Sequence, residues 1–324
     1  MMNVTRRALG ALLAGAMATS LIALPVQAEE MLPSLEILAP SSPGSGYDQL
    51  ARAVQGVLQA RGTVPAVEVT NVAGGGGTVG LAQFVTSRPR KPSALIVGFA
   101  LVGGVLTTQS AVTLEDVTPI ARLMGDVDAI VVPASSDIQT LDDLIAKLKE
   151  APGDVSWAGG SIGGVDHVTA GLFSKAVGVD PKAINFVVHA GGGEVLASVL
   201  GGHATVGISG YEEFRAQVEA GDLRALAVSG AERIEGVDVP TFKEAGVDLV
   251  VQNWRGIVAN PKAKDDDVEA LKAAIADMAT SPEWAEALKT RGWLDSYQPA
   301  EEFGPFLSEE STRIGQALKD AGVL

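Results

Sequence analysis

Short apolar stretches alternate with amphipathic stretches along most of the chain, and at four places a glycine-rich turn separates the two. A short apolar run that stops at such a turn indicates a strand, and apolar residues at three- and four-residue spacing indicate a helix. The four pairs of strand and turn are residues 35–39 and 43–46, 67–71 and 74–77, 155–158 and 159–164, and 185–188 and 191–193. This alternation predicts an α/β fold with largely parallel sheets.

The same patterns predict the other elements. Helices are expected after the turns, at 48–60, 79–87, 166–176 and 194–200, and further strands at 94–98, 129–132, 204–209, 224–229 and 256–258. From residue 265 the spacing becomes helical, which predicts helices at 265–279, 282–289 and 300–321.

Two of these segments are expected to cross between lobes, because each runs into a proline-containing turn. Residues 129–132 precede Pro133, and residues 254–259 precede Asn260 and Pro261. We therefore predict a discontinuous first lobe (29–132 and 255–324) and a continuous second lobe (133–254), with hinges at 131–133 and 256–260. Each lobe carries two glycine turns that direct N–H groups and a helix dipole outward, which predicts an anion held between the lobes.

Residues 1–28 are typical of a secretory signal peptide. They contain a basic start at Arg6 and Arg7, an apolar stretch at 8–24 and small residues for cleavage at Val26-Gln27-Ala28. We therefore expect a periplasmic protein. The Sec route is favoured over the twin-arginine route, since little beyond Thr5-Arg6-Arg7 fits the twin-arginine motif.

Composition restricts the chemistry further. The chain has no cysteine, and its three histidines, His167, His189 and His203, lack the close spacing of a zinc motif. We therefore expect no metal and no cofactor. The net charge of −15 argues against nucleic acid and anionic membranes as partners. It also means that an anion site must depend on local dipoles.

Gly75, Gly77 and Gly80 match the dinucleotide fingerprint G-x-G-x-x-G between a strand and a helix. However, the next strand ends without the acidic residue that would bind the ribose. The pattern favours a turn that presents N–H groups to a smaller anion, and a purely structural tight turn remains the alternative.

Gly159, Ser161 and Gly163 match the G-x-S-x-G turn of serine hydrolases, with His189 and His203 as possible bases. A secreted serine hydrolase using Ser161 is therefore the alternative function. Three observations disfavour it: the helix begins near Asp166, the oxyanion-like motif follows the serine, and little chain remains for an acid-bearing strand. Ser161 is favoured as a hydroxyl donor to a ligand.

Several side chains have two interpretations. Asp48 and Asp166 stand at helix starts, where capping is the favoured role. Tyr47 either lends its hydroxyl to a site or packs. Four arginines near predicted loops could clamp a carboxylate, although a solvated or salt-bridged surface role is favoured; they are Arg52, Arg215, Arg224 and Arg255. Trp254 is favoured as hinge packing.

Together these motifs resemble the solute-binding proteins of tripartite tricarboxylate transporters. The stretch 39–52, containing Pro43-Gly44-Ser45-Gly46-Tyr47-Asp48, is similar to their first loop, and 71–80 is similar to their second loop. Segments 160–167, 200–204, 239–246 and 254–258 occupy corresponding later positions. The similarity spans the whole mature chain.

The resemblance implies a two-lobed periplasmic binding protein (type II, Venus flytrap) that closes on a tricarboxylate or dicarboxylate such as citrate. It also implies delivery to a two-component membrane permease. Loops from the two lobes would hold the ligand largely through main-chain N–H groups. The implied ligand-binding residues are Ser41, Ser42, Gly44, Ser45, Gly46, Tyr47, Gly76, Gly77, Thr78, Ser161, Gly163, Gly164, His167, His189 and Gly192.

Two departures from the family pattern concern the ligand. Gly44-Ser45 stands where many relatives have Gly-Gly, and His189-Ala190-Gly191 stands where many have Tyr-Lys-Gly. The first loop is nearer to the tricarboxylate-binding branch than to the amino-acid binders.

Overall fold

The computed structural model describes residues 30–189 and 191–324. The predicted signal peptide, residues 1–28, lies outside the described residues. The described chain forms two α/β lobes, each built on one sheet with helices packed against it. The predicted α/β, two-lobed class is confirmed. None of the helices in these two ranges is both long and apolar enough to cross a membrane.

The elements follow one another in near-regular alternation. The strands are β1 (Ser34–Ala39), β2 (Ala66–Asn71), β3 (Ser93–Gly98), β4 (Thr118–Asp126), β5 (Asp128–Pro133), β6 (Ser156–Gly159), β7 (Asn185–Val188), β8 (Val206–Gly210), β9 (Leu223–Val228), β10 (Asn253–Ala259) and β11 (Leu294–Pro299). The helices are α1 (Gly46–Arg61), α2 (Thr78–Thr86), α3 (Phe99–Thr107), α4 (Leu141–Glu150), α5 (Val165–Ala176), α6 (Gly192–Leu200), α7 (Tyr211–Ala220), α8 (Asp265–Ala279), α9 (Pro282–Thr290) and α10 (Ala300–Asp320).

Both sheets are mixed rather than largely parallel. The first lobe has the strand order β11-β4-β10-β3-β1-β2, and the second has β7-β6-β8-β5-β9. β1 is parallel to β2 and β3, and β6 is parallel to β7 and β8. β10 and β5 are antiparallel to both of their neighbours. Each of these two strands comes directly after a passage between the lobes. The chain therefore enters each sheet antiparallel to the strands of its βαβ units.

The passages between the sheets lie earlier in the chain than predicted. The chain leaves the first sheet at Val127, between β4 and β5, and returns between the end of β9 at Val228 and the start of β10 at Asn253. The predicted hinges were 131–133 and 256–260, but residues 131–133 and 256–259 are paired strand residues of β5 and β10. The proline turns mark strand ends in the sequence, but sheet membership depends on distant pairing partners.

Ser229 joins the two passages. Its hydroxyl accepts a hydrogen bond from the Asp128 N–H at 3.0 Å and donates one to the Val251 carbonyl at 2.7 Å. The start of β5 is therefore fixed to the segment that leads into β10.

Two helices bring the lobes into contact. α3 belongs to the first lobe, and its Gly103 lies directly against Gly163 of the second lobe. α10 packs on β4 and α3 at one side and on α5 at the other, where Asp320 pairs with Lys175. The C-terminal part of 255–324, predicted to lie in the first lobe, therefore also contacts the second.

Candidate ligand cleft

A cavity of about 410 Å³ lies where the two passages meet. The first lobe lines it with Gly46 at the start of α1 and with Asn253 and Arg255 of β10. The second lobe lines it with the starts of α5, α6 and α7. Cavities of about 300–1,000 Å³ are typical of sites for small organic molecules.

Arg255 brings a positive charge to the first-lobe side of this cavity. Its side chain is only 13% exposed, and its Nη1 lies 3.4 Å from Oδ2 of Asp126. A Cβ atom on Gly46 would lie 2.6 Å from its Nη2, so the guanidinium packs against the start of α1. Arg255 and the positive end of the α1 dipole together form a positive pole. The salt bridge agrees with the role favoured from the sequence for Arg255, but the side chain lines the cavity instead of lying at the surface. Arg255 follows Trp254 in a segment that was predicted to cross between the lobes, and this position was the sequence signal that it could lie at the cleft.

The first glycine turn is held by the side chains of its own helix. Ser45 caps α1 by accepting from the Asp48 N–H, and its hydroxyl is also hydrogen-bonded to that of Ser41. The Asp48 carboxylate accepts from the Gly44 N–H at 2.8 Å and from Asn71 Nδ2 at 3.0 Å. The capping role favoured for Asp48 belongs to Ser45 instead, and Asp48, in the first turn of α1, binds the preceding turn. Ser42, in the same turn, is exposed.

Tyr47 packs between α1 and α3. Its side chain is buried, and its hydroxyl accepts a hydrogen bond from the Leu101 N–H, in the first turn of α3, at 2.8 Å. Burial raises the pKa of Tyr47 to about 12. The hydroxyl thus satisfies a free donor at a helix start and fixes the position of α3 relative to the first glycine turn.

The glycine turns of the second lobe also hold carboxylates of the chain itself. The Asp166 carboxylate accepts from the Gly160 N–H at 2.8 Å. Because α5 is capped at Gly164 without a side-chain hydrogen bond, the capping role favoured for Asp166 is wrong. Glu213 extends to the start of α6, where a Cβ on Gly192 would lie 1.5 Å from Glu213 Oε2. Internal carboxylates therefore occupy positions at which the sequence predicted a bound anion.

The turns at 74–77 and 161–164 lie on either side of α3. Gly75, Gly76 and Gly77 all have positive φ values (58°, 64° and 98°), and Gly76 packs against Gly104 of α3. The Thr78 hydroxyl donates to the Gly75 carbonyl at 2.8 Å. On the other side, Gly163 (φ 79°) lies against α3. Neither turn lines the 410 Å³ cavity, whereas Gly46 and Gly192 do.

The remaining predicted residues make local contacts. The Gly163 N–H donates to Nδ1 of His167 at 3.3 Å, and burial lowers the pKa of that imidazole. The Gly164 N–H donates to the Ser161 carbonyl, and Nδ1 of His189 lies 2.9 Å from the Val187 carbonyl.

Ser161 lacks the surroundings of a catalytic nucleophile. It is exposed, and α5 begins at Val165 rather than at the serine, as the sequence predicted. Within residues 30–189 and 191–324, no hydrogen bond joins its hydroxyl to a histidine ring. In the same ranges, no group of three histidine, aspartate or glutamate side chains is arranged to hold a metal ion.

Three carboxyl groups line the second-lobe side of the cavity, and we call them the acidic wall: Asp128, Asp166 and Glu213. Asp126, at the end of β4 in the first lobe, and Glu212 also line the cavity, and they pair with Arg255 and Arg215. Asp128 is only 1% exposed; its Oδ2 accepts from the Thr169 hydroxyl at 2.8 Å, and its Oδ1 has no hydrogen-bond partner. Burial raises the pKa of Asp126, raises that of Asp128 well above its usual range, and raises that of Asp166 to about 7. The acidic wall is spread over three segments of sequence, which is why sequence analysis did not find it.

The raised pKa of Asp166 predicts a pH-dependent stability. A carboxyl group whose pKa rises from 3.8 to about 7 on folding stabilises the native state when protonated, and this contribution is lost as pH rises towards 7. Asp166→Asn keeps an acceptor for the Gly160 N–H without the charge. We expect wild type and variant to melt at similar temperatures near pH 4, and the variant to melt several degrees higher at pH 8. Thermal unfolding followed by circular dichroism measures this, and a difference that does not change with pH would contradict it.

Two α/β lobes joined by two passages around a cleft define the class of the periplasmic binding proteins. The chain belongs to the tripartite tricarboxylate transporter family of receptors, TctC, whose family model matches residues 50–323. This confirms the resemblance inferred from the loops at 39–52 and 71–80.

Individual relatives agree with this assignment. Protein BugT of Bordetella pertussis is 28% identical over 334 residues, which cover 99% of this chain and 99% of that protein. A TctC solute-binding protein from Polaromonas, solved with no ligand, has a TM-score of 0.75 at 28% identity and covers 88% of this chain and 98% of its own. MatC from Rhodopseudomonas palustris, solved with bound malate, has a TM-score of 0.71 at 20% identity, covering 88% and 98%, and shows the common fold.

Proposed function

We propose that this protein is an extracytoplasmic receptor that captures a small organic carboxylate in the 410 Å³ cavity between its lobes. The observation that carries the proposal is the positive pole formed by Arg255 and the start of α1. A guanidinium that is only 13% exposed forms strong, charge-assisted hydrogen bonds with a carboxylate. The bound malate of MatC, a dicarboxylate in the same fold, supports this ligand class.

The ligand does not undergo chemistry in this proposal. The exposed position of Ser161 and the absence of a histidine hydrogen bond to it, within the described residues, argue against the serine hydrolase alternative. Family membership also supports a receptor, because the matching model describes transporter receptors. The protein therefore acts by binding and release.

The proposed setting is the periplasm, with export by the Sec pathway directed by residues 1–28. The receptor would deliver its ligand to a two-component integral membrane permease of the tripartite type. A permease can recognise the ligand-bound receptor only if ligand binding changes the conformation of the receptor. Contacts from both lobes supply this change, because a ligand that touches both favours the closed arrangement by its differential affinity for it.

Isothermal titration of the mature protein, residues 29–324, tests the ligand class. Citrate, malate, succinate, glutarate, L-aspartate and L-glutamate should be titrated beside glucose and putrescine. We expect at least one carboxylate to bind with a Kd of about 1 μM or tighter, near −8 kcal/mol, and the sugar not to bind. Binding of the sugar or the diamine without any carboxylate would reject the proposal.

A further inference from the structure

We propose that the ligand carries a positively charged nitrogen in addition to its carboxylate, and that this nitrogen binds at the acidic wall against Asp128. The inference rests on the proposed function, because the carboxylate of the same molecule occupies the positive pole at Arg255. It narrows the ligand class to amino carboxylates or related zwitterions.

The unsatisfied oxygen of Asp128 is the first argument. The side chain is 1% exposed, yet its Oδ1 lacks a partner while the residue lines the cavity. An ionised carboxylate buried without a partner costs several kcal/mol unless a counter-charge approaches it. Oδ1 of Asp126 is also buried without a partner. A protonated nitrogen in the cavity would supply a donor to such an oxygen.

The second argument is that the second-lobe side of the cavity offers little to an anion. Asp166 occupies the Gly160 N–H, and Glu213 covers the start of α6 at Gly192. The Glu213 carboxylate is held in place by the Ser209 hydroxyl, which donates to it at 2.6 Å. A ligand carboxylate on this side would face carboxylates of the protein, and like charges at short range repel.

The two sides of the cavity therefore differ in sign. The first-lobe side presents Arg255 and the start of α1, and the second-lobe side presents the acidic wall. Nη1 of Arg255 lies 3.4 Å from Oδ2 of Asp126, which ends β4 on the same, first-lobe side. A ligand with one charge satisfies only one side, whereas a zwitterion complements both. A metal ion is a poorer occupant, because no three potential ligands within the described ranges are arranged for one.

Matched ligand pairs test the inference on the unmodified protein. L-Aspartate and succinate differ by one amino group, as do L-glutamate and glutarate. We expect at least one amino compound to bind 10-fold or more tightly than its partner in isothermal titration. If the diacids bind as tightly as the amino compounds or more tightly, the inference is overturned and the proposed function stands. That result would mean that the carboxyl groups of the acidic wall are protonated and do not repel a diacid. If no carboxylate of either kind binds, both are overturned.

Variants locate the nitrogen. In Asp128→Asn the preference for the amino compound should fall below 3-fold, and succinate should bind at least as tightly as to the wild type, since one negative charge is gone. The control is Asp137→Asn, which removes the same charge from an exposed residue paired with Lys147 and should keep the full preference. Melting temperatures establish that both variants fold, and the ligand pairs on the wild type decide the question should Asp128→Asn fail to fold. A full preference retained in folded Asp128→Asn would overturn the assignment to Asp128.

Discussion

Replacing Arg255 by methionine is expected to weaken carboxylate binding by at least about 30-fold. Truncating one partner of a buried, hydrogen-bonded charge pair costs about 2–5 kcal/mol, and the lower value already corresponds to that factor. The guanidinium is 13% exposed, and it lies at the cavity beside Gly46. Isothermal titration with the tightest carboxylate of the panel measures the change.

Two controls separate recognition from folding. Arg233→Met removes an exposed arginine that pairs with Glu244 and Asp238, and it should leave affinity unchanged. Because Arg255→Met leaves Asp126 without its cation, a lower melting temperature is also expected. Adding Asp126→Asn should recover the melting temperature without recovering affinity for a simple diacid. Wild-type affinity in Arg255→Met would place the carboxylate elsewhere in the cleft.

Gly103→Val is expected to hold the lobes apart and to weaken binding by at least about 10-fold. A Cβ at Gly103 would lie 2.2 Å from the carbonyl oxygen of Gly163, which belongs to the other lobe. The clash exists only when α3 and the turn before α5 are in contact, so the side chain acts as a wedge against closure. A ligand that needs the closed form then binds in proportion to the fraction of closed molecules.

Small-angle scattering with and without ligand measures this effect. The wild type should have a smaller radius of gyration with ligand, and Gly103→Val should stay at the larger value. The matched control is Gly56→Val, in the middle of α1, where an added Cβ meets nothing within 4 Å. It should bind and compact as the wild type does. Full affinity and full compaction in Gly103→Val would show that the cleft binds without this contact.

Local signals in the sequence predicted most helices to within two residues. The helix predicted at 48–60 is α1 at Gly46–Arg61, and the one predicted at 265–279 matches α8 at both ends. Capping residues and glycine turns mark such helices within a few positions. α3, α4 and α7 were not predicted. The sequence of α3, Phe-Ala-Leu-Val-Gly-Gly-Val-Leu-Thr, is apolar on all sides and contains two glycines, which hides its helical period. Those glycines serve close backbone approach to Gly76 and Gly163.

Prediction of the site was limited because its contacts join residues that are distant in sequence. The sequence showed that the glycine turns precede helices. It did not show which acceptor the N–H groups of each turn would bind. Asp48 and Asp166 take N–H groups of their own turns, which short spacing suggested, whereas Glu213 reaches α6 from a helix further along the chain. Whether these turns also contact the ligand stays a prediction.

The sequence by itself determined the α/β class, the family, the glycine turns and most helix bounds, because these depend on periodicity, capping and turn residues within short windows. The tertiary structure alone decided the positions of the passages at Val127 and 229–252, the placement of Arg255 and the acidic wall. Those features arise from strand pairing and from burial of charges that are distant in sequence. Burial against long-range neighbours, rather than residue type, gives these charged groups their place and their pKa values.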